Sequence, residues 1–432
     1  MRVSAVVVLL LVHAIQTPAA QQSDTVTVAP DANSPTAGIQ EAIDRLGPGG
    51  GEVRIPPGEY LLRRAVRVRS GVTLQGAGKE TVIRKNKQVG SKLAAATSGR
   101  SARVEDATGF REGDEVAFYD RTTVGWQQGH AIVTGVQGNE LMLSWNPGKF
   151  DPANGGAVIN TFSAIKGVRS AKGSVLSNVV LKDLTIDGNS EENPGPAVVC
   201  PRAPGTPPEL GFQFAAINIM DATGLRVEGC RVKGWPADGI SVQRGSGNRV
   251  TKCVVEECRG PGYHAGGGER DTVFSENEAR GNLDDGFYFC VRVTGVTLKE
   301  NKFIANRGNG VGGLGGGDDR KNVVEGNLCE GNGLSGISAK GGESNTLKNN
   351  VCVNNSQKSP GQWSGISLLR TSKSVVSGNR CSDNQKTQTQ KHGISESPDC
   401  RGNEITNNDC RGNAQSGVAL AGKDGQQSGN QE

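Results

Sequence analysis

Gly239-Ile240-Ser241-Val242 is the stretch on which the fold turns, because its pattern, a glycine followed by apolar and variable residues in alternation, keeps returning. It recurs as Gly262-Tyr263-His264-Ala265, Gly286-Phe287-Tyr288-Phe289, Gly310-Val311, Gly336-Ile337-Ser338-Ala339, Gly365-Ile366-Ser367-Leu368, Gly393-Ile394 and Gly417-Val418. Successive glycines lie 23, 24, 24, 26, 29, 28 and 24 residues apart. A steady spacing of about 20 to 50 residues means stacked structural units. A second phrase runs in step, with Asn277, Asn301, Asn327, Asn350, Asn379 and Asn408 at one position and Cys230 and Cys253 in the same slot earlier. Two residues further on, Val232, Val255, Ala279, Phe303, Cys329, Cys352, Cys381 and Cys410 form an apolar or sulfur-bearing column. Two columns in register give one coil per repeat, each with two or three short strands that pair with their equivalents about 4.8 Å away in parallel sheets.

The asparagine column reads as structural, since stacked amides bond their copies above and below while satisfying turn backbone. The cysteine column reads as small buried hydrophobes, with disulfides between adjacent coils as the alternative. Zinc is disfavoured, because neither Cys-x-x-Cys pairs nor clustered histidines accompany the cysteines.

Toward the N-terminus, Thr36 to Leu46 places Ile39, Ala42, Ile43 and Leu46 on one helical face, a cap for the open end of a solenoid. Then come Glu52-Val53-Arg54-Ile55-Pro56-Pro57-Gly58-Glu59-Tyr60 and Gly71-Val72-Thr73-Leu74-Gln75-Gly76. The helix, the Ile-Pro-Pro-Gly-Glu-Tyr phrase and the Val-Thr-Leu-Gln-Gly-Ala-Gly stretch resemble the N-terminal coils of the pectate-lyase-like β-helix superfamily, and the later repeats resemble its generic β-helix repeats. That resemblance implies an all-β chain, a single-stranded right-handed parallel β-helix solenoid, and specifies fold better than activity.

Residues 97–165 break the coil rhythm and read as a small inserted β subdomain, with a hairpin turn at Gln137-Gly138-Asn139-Glu140. It carries Trp126, His130 and Trp145, the tryptophans expected in its private core. The division is 1–20 signal peptide, 21–96 cap and first coils, 97–165 insertion, and 166–432 repeats. A Pro-rich stretch at 189–210 overhangs the solenoid, and the polar tail beyond Gly422 is expected to fray.

Composition agrees: 63 glycines in 432 residues and only 4% aromatics suit β-turn-rich structure, not broad helical stripes. The net charge of +4, without long blocks of either sign, argues against nucleic acid as a partner. Arg2, the apolar run Val3 to Ile15 and the small residues ending at Ala20 read as a secretory signal, too short to span a bilayer. The expected location is secreted, periplasmic or extracellular, with no membrane association and a monomeric state.

Alternation within the strands puts the residue after each repeat glycine inside and the next outside. The outward series is Asn218, Ser241, His264, Tyr288, Gly312, Ser338, Ser367, Ser395 and Ala419. His264 and Tyr288 interrupt this bland series and should be neighbours about 5 Å apart. Asp238, Asp284 and Asp285 flank them, and Arg244 and Arg292 follow strand ends. With His264, Tyr288, Asp285 and Asp238 as catalytic candidates and Asn218, Ser241, Arg244, Arg292 and Asp284 as substrate-binding candidates, the cluster suits removal of the proton beside a uronate carboxylate. A cation or neutral acid offsets carboxylate charge, His or Tyr takes the proton, and Tyr protonates the leaving oxygen.

Uronate lyases and epimerases of this fold resemble the chain in using groove residues of these types. The Asp-Pro-His-Asp phrase of alginate epimerases is absent, Gly262-Tyr263-His264-Ala265 standing in the comparable place, which weakens the epimerase reading. The alternatives are inverting hydrolysis by Asp238 and Asp285 and a non-catalytic solenoid that binds glycan or protein. Asp238, Asp285 and His392 also read as turn residues before the repeat glycine. Calcium is the candidate cofactor, through Asp284, Asp285, Glu269 and Asp271. The expected partner is a polysaccharide, acidic if the uronate reading holds. Gly310 to Gly317 reads as a tight coil turn, lacking the strand-to-helix context of a phosphate loop.

Overall fold

A computed structural model describes residues 24–123, 127–169, 171–195 and 211–432; the proposed signal segment, Trp126, Cys200 and most of the Pro-rich stretch lie outside them. The chain winds as a right-handed parallel β-helix whose coils stack three sheets of thirteen, eleven and ten strands. The repeat glycine phrases form the eleven-stranded sheet, where Ile217, Ile240, Tyr263, Phe287 and Val311 stand in register. All are fully buried, as strict alternation requires. Inside, Phe287 packs edge-on against Phe274 with ring centroids 4.9 Å apart, and 4.8 Å from Phe289. Each fully buried ring contributes about 1.5–3 kcal/mol.

The asparagine column is a continuous ladder. Asn277, Asn301, Asn327, Asn350 and Asn379 each donate a backbone N–H and an Nδ2 hydrogen to the Oδ1 of the next asparagine, at 2.9–3.0 Å. The same Nδ2 groups also donate to backbone carbonyls one coil back, such as Asn327 to Leu298 O at 3.0 Å. Buried polar turn groups are thereby satisfied by copies of themselves. Cys329, Cys352 and Cys381 occupy equivalent positions in successive strands. They and Cys410 are fully buried thiols, Cys230 is nearly so, and no disulfide joins the described cysteines.

The capping helix is short, Ile39–Asp44, with Ile39, Ala42 and Ile43 facing the core. The insertion is a six-stranded antiparallel sheet from Gly90–Lys92 to Ala157–Ile159, beginning slightly before the expected 97. Its core is Leu93, Phe110, Val116, Phe118, Leu141, Phe150 and smaller residues. Trp145 is not in that core: it stands 37% exposed with its ring edge-on to His130. The C-terminal tail differs from expectation too. Gln426–Ser428 adds a last strand on Glu404–Thr406, and Asn430 extends the asparagine ladder. No helix among the described residues is long and apolar enough to cross a membrane.

Candidate functional site

The outward column comes together as the register demands. Lys166, Asn218, Ser241, His264, Tyr288 and Gly312 are successive partners across the sheet. The His264 and Tyr288 rings meet edge-on, centroids 5.1 Å apart at 85°. Outward does not mean exposed here. Asn218, Ser241 and His264 are buried, whereas Tyr288 and Asp284 are half-buried and reach solvent.

The cover comes from the segment entering the sheet. Trp235, wholly buried, donates its indole N–H to Phe214 O at 2.7 Å and packs edge-on with Phe162. This pins the turn Phe212–Phe214, which lays Phe212 edge-on to His264 at 5.8 Å. The same turn presents Gln213 O to Asn218 Nδ2 at 3.0 Å and Gln213 Nε2 to Gln128 of the insertion at 2.7 Å.

His264 Nδ1 bonds Asp238 Oδ2 at 2.7 Å across adjacent coils. Burial alone would lower the imidazole pKa, but the Asp238 bond and the nearby Cys290 thiol outweigh it and hold the ring up at about 9. His264 is therefore an imidazolium at neutral pH, with a buried Nε2 that makes no hydrogen bond of good geometry. That state removes it from the role of resting base. Burial raises Tyr288 to about 12, helped by the neighbouring Cys290, Asp285 and Asp284, so the phenol keeps its proton.

Asp285 accepts the backbone and side-chain N–H bonds of Asn309 on the next coil, through Oδ1. Burial and the adjacent Asp284 still push it up to about 7. Asp284 is also raised, by burial and by Asp238, while Lys340 opposes the shift. The two carboxyls titrate as a pair, both held above the usual carboxylate range.

Glycines make room for this cluster. A Cβ on Gly312 would collide with Asp285 Oδ2, and one on Gly313 would lie 2.7 Å from the Tyr288 ring. Gly313 is also left-handed, φ 72°, at a break in strand register between Val311 and Leu314. The glycine-rich run is a bulge fitted around two site residues, more than a plain coil turn.

The other expected residues fall elsewhere. Arg244 spends its guanidinium on Asp221, at 2.9 and 2.7 Å. Arg292 is exposed at a left-handed turn position, φ 63°. Glu269 is buried and accepts from Gly245 N, Asn248 Nδ2 and Thr272 Oγ1, which closes a turn. His392 Nδ1 pairs with Ser416 Oγ at 2.7 Å. Among the described residues no three His, Cys, Asp or Glu side chains are grouped to hold a metal ion. Sequence reasoning missed Lys166, Phe212, Cys290 and Lys340. The alternation rule, carried two residues beyond Tyr288, would have put Cys290 on the outward face.

A family model described as a right-handed beta helix region matches residues 177–317 and 312–430, more than half of the chain. The protein belongs to that family of parallel β-helix proteins. Among solved structures it is similar to the A-module of the Azotobacter vinelandii mannuronan C-5 epimerase AlgE6, at 18% identity and TM-score 0.58, with 91% of this chain and 94% of that one covered. The A-module of AlgE4 from the same organism matches at 17% identity and TM-score 0.58, covering 94% and 100%. The Dettilon tailspike protein gp208 matches at 14% identity and TM-score 0.58, covering 93% and 66%. At such identities the likeness shows a shared fold. No curated protein sequence matches the chain.

Proposed function

We propose that this is a secreted polysaccharide-active enzyme that cleaves a uronate-containing glycan by β-elimination at the Tyr288 coil. The observation that carries the reading is one cluster on adjacent coils, with the His264 and Tyr288 rings 5.1 Å apart, His264 bonded to Asp238 at 2.7 Å and the Asp284–Asp285 pair at the entrance to the Tyr288 strand, in which burial and neighbours hold His264 charged, Tyr288 protonated and the acidic pair above the usual carboxylate range. Elimination needs those states. The buried imidazolium and the neutral Asp285 offset the charge of the substrate carboxylate and of the enolate that develops from it. Half-buried Asp284 takes the adjacent carbon-bound proton, and the Tyr288 phenol delivers its proton to the departing glycosidic oxygen.

An acidic polymer also has cations to follow. Lys166, on the same sheet, and Lys340, directly after its strand Ile337–Ala339, lie three coils to either side of His264, about 14 Å away at the strand spacing. Beyond Lys340 the face continues as a shallow cavity of about 450 Å³ lined by Trp363, Ser367, Lys391, His392 and Ser395, long enough with the central coils for several sugar units. The tailspike and epimerase modules share the fold, which supports a glycan as the class of ligand.

Hydrolysis has one observation in its favour, the raised pKa of Asp285, which suits a general acid. Against it, Asp238 is committed to His264 and is only 3% exposed. The test is absorbance near about 235 nm, where an unsaturated uronate absorbs, on pectate, alginate and glycosaminoglycan panels with and without calcium, beside a reducing-end assay. The expected result is absorbance growth that falls about 100- to 10,000-fold in Tyr288→Phe. Reducing ends without absorbance would replace elimination by hydrolysis, and silence in both assays would leave a binding solenoid.

A further inference from the structure

Asp238, His264 and Cys290 are spaced equally, 26 residues apart, and the register shows what that spacing does. Ser241, His264 and Tyr288 are direct partners on three successive strands. Asp238 stands three residues before the first partner and Cys290 two after the last. The three residues therefore run diagonally across three coils, with the imidazole in the middle. Its Nδ1 is taken by Asp238 Oδ2 at 2.7 Å on one side. Nε2, on the opposite edge of the ring, is buried and makes no hydrogen bond of good geometry, and the Cys290 sulfur is the polar group beside it.

Cys290 differs from the other cysteines described: the remaining eight are buried, and it alone reaches the surface. The backbone N–H groups of Val291 and Gly267 point at its sulfur. Gly266 and Gly267 leave the approach open, since a Cβ on Gly266 would lie 2.6 Å from Cys290 Cβ. The titratable neighbours are His264 and Tyr288; the aliphatic stem of Arg244 passes beside Gly267 while its guanidinium is held by Asp221. Burial opposes the thiolate, yet the imidazolium and the two amides prevail and lower the thiol pKa.

We propose that Cys290, His264 and Asp238 form a nucleophile, acid–base and orienting triad for acyl transfer, acting on carboxylic esters carried by the glycan. The identity of the ester's carrier rests on the function proposed above; the triad itself does not. The Cys290 thiolate adds to the ester carbonyl carbon. The carbon–oxygen bond to the alcohol then breaks as His264 Nε2 gives the alkoxide its proton, leaving a thioester and a neutral imidazole. Nε2 next takes a proton from water, the hydroxide adds to the thioester, and the carbon–sulfur bond breaks to restore thiolate and imidazolium. The net change is ester plus water to acid plus alcohol. Asp238 holds Nδ1–H throughout and is a positioning residue.

The test uses the full chain, iodoacetamide and p-nitrophenyl acetate, with peptide mass spectrometry to locate the label. The expected result is that Cys290 is alkylated at pH 6.5 about tenfold faster than a free thiol and carries a transient acetyl group. His264→Gln should remove that advantage, and Asp238→Asn should lose part of it. Alkylation at the free-thiol rate, indifferent to both substitutions in proteins with native circular dichroism, would overturn the triad, as would acetyl found only elsewhere. If the variants misfold, the pH dependence of wild-type alkylation decides: a midpoint below the ordinary thiol value of about 8.5 supports it, one at or above overturns it. Neither probe involves elimination, so this proposal and the lyase reading can fail separately.

Discussion

The outward faces of the central coils and of the C-terminal coils are built on the same strand register and the same buried column, yet they treat polar groups in opposite ways. From Ser335 onward the outward residues are mostly serines that pair with one another, Ser335 with Ser367 and Ser364 with Ser395, each at 2.8 Å. In the central coils, buried polar atoms stay unpaired, His264 Nε2 and Asn218 Oδ1 among them, and carboxylates are held partly protonated. A repeat satisfies its polar groups with copies of itself; where the copies stop, the cost of an unsatisfied group marks a place selected for something other than stability.

The difference can be broken from beneath or from above. The asparagine ladder underlies both regions, and Asn327 both accepts from Asn301 and donates to Leu298 O and Asn350. Asn327→Ala should destabilise the protein by about 3 kcal/mol in urea unfolding, since several buried groups lose partners at once. Gly312→Ala should do less to stability, about 1–2 kcal/mol, because the added methyl displaces the Asp285 carboxylate; its larger effect should be on elimination, about tenfold. Ser367→Ala, at the equivalent outward position of a generic coil on the far part of the glycan-binding face, should cost about 1 kcal/mol or less and leave the turnover of elimination at saturating glycan untouched, moving only KM. If Gly312→Ala and Ser367→Ala behaved alike in the absorbance assay, the contrast between the two faces would lose its functional meaning.

Much of the fold and part of the site are legible in the sequence, for a specific reason. In a parallel solenoid, spacing along the chain converts directly into contact, so the asparagine ladder and the His264 to Tyr288 neighbourhood follow from counting. What breaks the count is not legible. The Phe212–Phe214 turn that covers His264 follows the Pro-rich stretch, outside the coil repeat, and its anchor, Trp235, puts an indole in a column slot that holds Cys258, Asn282 and Asn306 in the next coils. The bulge at Gly313 changes register locally, so the fit of Gly312 to Asp285 does not follow from alternation. Arg244 lies close to the cluster along the chain, but its partner Asp221 sits one coil back and draws it away. Cys290 is within reach of the alternation rule, yet the inward column of cysteines invites reading all of them alike. Protonation states lie beyond the sequence altogether, because they depend on burial.

The most direct test of the central claim is the pH profile of uronate elimination by the wild-type protein. Activity requires Asp285 protonated and His264 charged. The account therefore predicts that the rate falls as pH rises through about 7, when Asp285 ionises, and is lost as pH passes about 9, when His264 gives up its charge. A rate that instead rises steadily through both values, as it would if His264 or Tyr288 had to lose a proton to act as the base, would contradict the assignment of charges on which the site rests.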